Sequence, residues 1–479
     1  MIINRLLFIL SILCACFRRI NALSLTGNKT LIIYDSDSIE KLYGTDNSSV
    51  HMNKGVTSMN DDENELFKNN FKKFMLLLES NGYNYTLYDI QSSNNRNSND
   101  IQLTKVDNSL YDNVIIFPIL KASLKKGSSA SENKSILSSK NLLSFFNNYN
   151  GNLMIITSPH INNADSLINL LNEFGIFPSP KNQIVKDLFQ NKDTLLVSSS
   201  NLLNKYVYSV DNDTVYFNLG ESSVARLDNR EQLVPILKSS KTSFIDTTQD
   251  KNFEPWVTGS QGYLITGFQG VNNNARLVWV GSTNLIDESA HDINKNLVEN
   301  LVNWNFNAKS VIKTLKSRHY HANTKLTYDE LNYKINDVIR YEIDITEWDG
   351  SQWIPFTAED IQFELRQVDP YYRINLTRIL DNETNNNTFA RYTTNNFKLP
   401  NRHGMFKFLT EYKRNGLSTI KDEDIKAIRH LAYDEYPRSW EITNSWVYLT
   451  ANIVVISLFI TFVILFLTNT NVTTVKKNN

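Results

Sequence analysis

An uncharged, mostly apolar run from Val447 to Leu467 constrains this chain more than any other feature. Its ~21 residues, as a helix rising about 1.5 Å per residue, suffice to cross the roughly 30 Å hydrocarbon layer of a bilayer. Everything before it must then fold on one side of a membrane, leaving a short tail on the other. Trp446 and Tyr448 stand where interfacial aromatics are expected. The upstream flank carries Asp434, Glu435 and Glu441, whereas the only charged residues of the tail are Lys476 and Lys477, so the positive-inside bias puts the tail in the cytosol. These two lysines have the spacing of a dilysine address read by retrieval coats, which supplies no anchoring of its own.

The other end of the chain agrees. Arg5 precedes the apolar stretch Leu6 to Phe17, too short for a span but suited to a signal peptide, and Arg18 and Arg19 interrupt it. Ala22 is a better cleavage point than Ala15. The expected plan is a signal peptide at 1–22, a span at 447–467 and a cytosolic tail at 468–479. The bulk then lies in the lumen of the endoplasmic reticulum as a single-pass type I membrane protein. Within the span, Thr450, Ser457 and Thr461 fall in a narrow helical arc and Asn452 lies nearly opposite. Such hydroxyls either let a neighbouring helix approach or bond the carbonyls of their own helix. Asn452 favours a helix partner, because an amide facing lipid is costly.

The chain has two cysteines, Cys14 and Cys16, both inside the expected signal peptide. The mature form therefore has no disulfide, thiolate metal site or cysteine nucleophile, so it holds together by its core or by neighbouring chains. A formal charge of −1 over 479 residues gives no electrostatic attraction to nucleic acid. Asn-x-Ser/Thr sequons at Asn28, Asn47, Asn84, Asn133, Asn212, Asn375, Asn382 and Asn386 are glycosylation candidates. Asn471 also matches but lies in the tail.

From 23 to 309, short apolar strands (Leu31 to Tyr34, Tyr85 to Ile90, Val114 to Phe117, Leu153 to Ile156, Leu277 to Val280) alternate with amphipathic helices (Glu65 to Asn81, Leu142 to Asn148, Ile293 to Trp304). That pattern predicts an open α/β domain with a mostly parallel sheet covered on both faces. The polar stretches near Asn47 to Glu63, Ser92 to Asp100 and Ser123 to Asn133 read as loop insertions. The segment 178–255 reads as further antiparallel strands or a subdomain. From 310 to 440 the pattern alternates residue by residue, as in Ile339, Tyr341, Ile343 and Ile345, with turn signals at Asp349-Gly350 and Asn415-Gly416. This predicts a small antiparallel β-sandwich next to the membrane.

Few residues suggest chemistry. Asp35-Ser36-Asp37 follows the first strand, where open α/β sheets bind ligands, and an Asp-x-Asp motif can hold a metal against phosphates. A capped loop is the plainer reading. His319 and His321 share one face of a strand but lack further metal ligands, so they read as exposed linker histidines. His160 has no nucleophile partner, and Gly259, Gly262, Gly267 and Gly270 are spaced for turns.

Several segments together resemble one family. They are Asn273-Asn-Ala-Arg-Leu-Val-Trp-Val-Gly-Ser282, read as a sheet-closing strand, Glu359 to Arg373, Phe397 to Phe408, and Tyr433 to Arg438 followed by a span and a dilysine tail. The family is the single-span subunit of oligosaccharyltransferase, the forty-eight-kilodalton subunit of animals and the wheat-germ-agglutinin-binding-protein subunit of yeasts. The resemblance implies a non-catalytic part in transferring a preassembled oligosaccharide from dolichyl diphosphate to asparagine. It also implies an amidotransferase-like first domain that lacks the cysteine such enzymes need. The divalent metal and lipid-linked donor would belong to a multi-spanning catalytic subunit, and the other partners would be a ribophorin II-like subunit and a small defender-against-death subunit. The alternatives are a free-standing metal-dependent transferase using Asp35 and Asp37, or a luminal cargo or glycan receptor.

Overall fold

In the computed structural model, the residues described are 24–44, 62–90, 103–105, 108–121, 137–187, 189, 194–210, 215–246, 254–379, 388–436 and 444–469. The expected signal peptide, most of the polar insertions, and the sequons Asn47, Asn133, Asn212, Asn382 and Asn386 lie outside them, as do Lys476 and Lys477.

A nine-stranded sheet dominates the first part. Its strands are β1 (Lys29–Tyr34), β2 (Asn84–Asp89), β3 (Asn113–Ile116), β4 (Asn152–Ile156), β5 (Ile176–Pro178), β6 (Ala225–Leu227), β7 (Leu233–Lys238), β8 (Tyr263–Gln269) and β9 (Arg276–Val280). The spatial order is β2-β1-β3-β4-β9-β8-β6-β5, with β7 also paired to β8. The pairings from β2 through β9 are parallel, while β8 pairs antiparallel with β9, β6 and β7. The sheet is thus mixed rather than mostly parallel. Nor does β9 close the sheet: it is the interior strand at which the parallel and antiparallel halves meet.

Alternation along β1 explains the layering. Ile32 and Tyr34 enter one apolar cluster and Leu31 and Ile33 the other, because successive side chains point to opposite faces. One face is covered by α2 (Asp62–Asn70), α3 (Lys72–Ser80) and α6 (His291–Asn305), after the short α1 (Ser36–Tyr43). The other is covered by α4 (Ser139–Asn148) and α5 (Asp165–Glu173). The single helix expected from Glu65 to Asn81 is two, since Phe71 leaves helical geometry with φ −119°. The same phenylalanine packs against Phe67 and Phe117, so core packing accounts for the break. The segment 178–255 supplies β6, β7 and two small two-stranded antiparallel sheets. Val185, Val197, Phe217 and Ile245 from those sheets join the first cluster rather than forming a core of their own.

The second part is a pair of antiparallel sheets. One contains β10 (Val311–His321), β11 (Val338–Trp348) and β14 (Ala390–Thr393) with short strands at its margins. The other has the order β13-β12-β15-β16, comprising β12 (Gln362–Arg366), β13 (Pro370–Asn375), β15 (Gly404–Tyr412) and β16 (Ile420–Ile428). Ile339, Tyr341, Ile343 and Ile345 face Phe363, Leu365, Phe406 and Phe408 across one apolar cluster. Each side chain fully buried in this way stabilises the fold by about 1.5–3 kcal/mol. The last element, α7 (Ser445–Thr468), is 24 residues long, and its apolar side chains are uncovered.

Gly267 is not a turn glycine. It sits mid-strand in β8, where a Cβ would stand 2.8 Å from the Trp304 ring, so only glycine lets α6 close on the sheet. Gly267→Val should destabilise the chain by roughly 1–3 kcal/mol through overpacking. A melting temperature no lower than that of the unaltered chain would contradict this account of the site.

Candidate functional site

A cation, Arg276, lies fully buried at the start of β9. Its guanidinium donates to the carbonyls of Trp304 and Lys309 at 2.7 Å each and of Ser310 at 2.7 Å. It also lies over the Trp304 ring, 4.8 Å from the centroid. Burial pulls its pKa down to about 9, so it stays cationic at neutral pH. The cation thereby fixes the short connection from α6 to β10, where Asn307 and Ser310 have positive φ. A charge-assisted hydrogen bond contributes about 1.5–3 kcal/mol.

Other bonds complete this joint between the two parts. Trp304 Nε1 donates to Gly416 O at 2.7 Å, and the Ser310 hydroxyl donates to Tyr206 O at 2.6 Å. Asn204 Nδ2 donates to Asn415 O at 2.8 Å. Gly416 has φ +87°, and its turn passes so close to Asn204 that a Cβ would lie 2.7 Å from that amide. The Asn415-Gly416 turn therefore does more than reverse the chain: it docks onto the α/β part. Lys413 and Glu231 add an exposed ion pair at 2.5 Å across the same boundary.

The residues singled out for chemistry have structural partners instead. One carboxylate oxygen of buried Asp35 accepts from the Ser38 hydroxyl at 2.5 Å and from Leu120 N at 3.1 Å. Asp35 thus ties the end of β1 to a distant loop and starts α1. Among the described residues, no three His, Cys, Asp or Glu converge as a metal would require. His319 and His321 are not exposed linker residues but lie inside the β-domain, 8 % and 7 % exposed. His319 bridges the Tyr333 hydroxyl at 2.7 Å and Asp424 at 3.0 Å and stacks on Phe408. His160 pairs with Glu221 at the surface. Asn84 and Asn375 are exposed and sit on the outer strands β2 and β13, whereas Asn28 is half-buried and its carbonyl accepts from Asn84 N at 3.0 Å. In α7 the Thr450, Ser457 and Thr461 hydroxyls bond carbonyls of their own helix at 2.9, 2.8 and 2.7 Å.

The chain leaves the β-domain through a second anchor. Glu435 accepts both guanidinium nitrogens of Arg429 at 2.8 and 2.9 Å, the Lys334 ammonium at 3.0 Å and Ala432 N at 2.9 Å. These donors, Arg429 first, hold its carboxyl well below the usual carboxylate range.

Comparison with known proteins agrees with this two-part layout. The OST48 N-terminal domain matches residues 59–308 and the OST48 middle domain matches residues 319–470. The Saccharomyces cerevisiae dolichyl-diphosphooligosaccharide–protein glycosyltransferase subunit WBP1 is 45% identical, over 84% of this chain and 89% of that protein. This chain belongs to the OST48 family. More distant relatives are the Schizosaccharomyces pombe subunit wbp1, 26% identical over 69% of this chain and 75% of that one, and the Danio rerio 48 kDa subunit, 27% identical over 60% and 67%. The two OST48 regions meet between residues 308 and 319, beside the Arg276 joint. Sequence reasoning passed over Arg276, although a lone cation in Ala275-Arg-Leu-Val-Trp-Val280 is a legible sign of a buried charge with work to do.

Two outcomes follow from this geometry. Arg276→Met removes a charged donor from three carbonyls, of which Trp304 O keeps Asn307 N–H and Ser310 O keeps Ser418 N–H, and should cost about 3 kcal/mol. Limited proteolysis should then cut near 305–310, and a variant as resistant as the parent would contradict the joint. Burial lowers the His319 pKa below its ordinary 6.5, against a smaller raising effect of Asp424. The unfolded chain therefore binds the proton first, and stability falls as pH drops below 6.5. His319→Gln should flatten that dependence between about pH 7.5 and about pH 5.5, as read from melting temperatures in detergent.

Proposed function

We propose that this chain is a non-catalytic framework subunit whose two luminal domains, 23–309 and 310–440, are locked together above a single span. It is an accessory subunit of the dolichyl-diphosphooligosaccharide–protein glycosyltransferase complex and acts in protein N-glycosylation. The observation that carries this is the match to WBP1 along most of both chains. The physical reading supports it, because the buried polar groups Arg276, Asp35, His319 and Asn204 are spent on holding elements together. Asp35 committed to Ser38 and Leu120 disfavours the metal-dependent transferase reading.

The finer reading is ours. The parallel half of the first sheet, with helices on both faces and no cysteine in the mature chain, supports an amidotransferase-like domain without its chemistry. A cleaved signal peptide, type I orientation, glycans at exposed sequons such as Asn84 and Asn375, and dilysine retrieval through Lys476 and Lys477 follow from the arguments on the sequence. The partners are the multi-spanning catalytic subunit, which holds the divalent metal and lipid-linked donor, the ribophorin II-like subunit and the small defender-against-death subunit. Affinity purification of the tagged chain with mass spectrometry tests the assembly, and recovery of the chain without a multi-spanning glycosyltransferase would end this proposal.

Asn452 is the polar side chain of α7 best suited to a neighbouring helix, because the three hydroxyls already have carbonyl partners. Asn452→Leu with Ser457→Leu should weaken co-purification in detergent, whereas unchanged recovery would take these two residues out of assembly. Lys476→Ser with Lys477→Ser should let unassembled chain reach later compartments. Glycans that stay entirely of the reticulum type would show retention by assembly alone.

A further inference from the structure

The β-domain has two dissimilar ends. At one, Val311, Tyr412 and Ile420 adjoin the Arg276 joint. At the other, Gly404 stands opposite Ile428 and Met405 opposite Ala427. β12 also finishes there, because Arg366 is paired with Lys407. The turn Gln367–Asp369 between β12 and β13 therefore lies beside the start of β15, and a Cβ on Gly404 would come within 2.6 Å of the Gln367 amide. The chain leaves from this same end, through the single turn Tyr433–Glu435.

Large apolar side chains gather here uncovered. Val368 at the hairpin tip is 87 % exposed, Met405 58 %, Tyr433 99 % and Tyr436 50 %. Apolar side chains scattered singly over a surface are ordinary. A group at one end of a domain is different, because contiguous exposed apolar surface marks a contact. Chain continuity indicates what the contact is. Eight residues separate Tyr436 from Ser445 in the sequence, a reach of at most about 30 Å. The clamp on Glu435 fixes where that tether begins.

We infer that this end of the β-domain rests on the bilayer leaflet facing it, with Val368 and Met405 at the acyl boundary and Tyr433 and Tyr436 at headgroup level. Tyrosine suits that level because its ring is apolar and its hydroxyl is wet. Asp369, next to Val368, and Arg402, which donates to the Tyr371 hydroxyl at 2.8 Å, keep the contact shallow, since their charges stay among the headgroups. The inference rests on the reading of α7 as a membrane span.

Photocrosslinking in the intact complex, in its native membrane, tests this. Benzoyl-phenylalanine replaces Val368, Met405, Phe459 or Ile293, one at a time. Phe459 is exposed on α7 and reports the span, and Ile293 is exposed on α6 and reports the background. Phospholipid adducts are expected at 368, 405 and 459, with none at 293. If 459 captures lipid but neither 368 nor 405 does, or these two capture only a neighbouring protein, the contact is overturned and the span stands. No lipid at 459 overturns both. Should the 368 variant fail to assemble, 405 decides.

Discussion

A buried cation anchors the joint between the two parts of this molecule. Arg276 stands at the start of an interior strand and reaches the carbonyls of Trp304, at the end of α6, and of Lys309 and Ser310, in the connection into the second domain. Removing a guanidinium from water is expensive, and the three carbonyls and the Trp304 ring, already in position, offset the cost for its terminal nitrogens, while buried Nε has no hydrogen-bond partner among the described residues. The requirement runs both ways. The carbonyls of Trp304, Lys309 and Ser310 gain a charged donor, and the cation needs them. Trp304 in turn needs Gly267 beneath it and Gly416 to receive its indole N–H.

From that joint the β-domain acts as a spacer. Its strands β15 and β16 run from the joint to the opposite end, 9 residues each, which at ~3.3 Å per residue is about 30 Å. A rigid joint at one end and the Glu435 clamp at the other give the α/β domain a fixed standing relative to the point where the chain turns toward the membrane. An accessory subunit that moved freely on its tether would place nothing. This one spends its buried polar groups on fixing positions, which is the economy expected of a framework rather than a catalyst.

Much of the fold was legible. Strand and helix periodicities in β1, β3, β4, α6 and β11 placed those elements within a few residues, because each buries a continuous face. The half-mixed character of the first sheet was not legible, since strand direction depends on partners distant in sequence. The broken helix at Phe71 was hidden for a similar reason: its ring answers to Phe67 and Phe117 rather than to its own turn. His319 and His321 misled because alternation shows which face a residue takes but not whether another sheet covers that face. Here Tyr333, Phe408 and Asp424 do.

The candidate span came from the sequence alone, because a hydrocarbon layer selects for length and apolarity without reference to any partner. The placement of both cysteines, Cys14 and Cys16, at the start of the chain was equally plain, since composition cannot be altered by folding. Only the tertiary structure decided what the polar residues are for. Whether Arg276, Asp35 or Asn204 serves a ligand or the fold depends on which distant carbonyls and amides come within 3 Å of it. Those meetings are set by packing between elements 34 to 211 residues apart in the sequence, and local pattern carries no record of them.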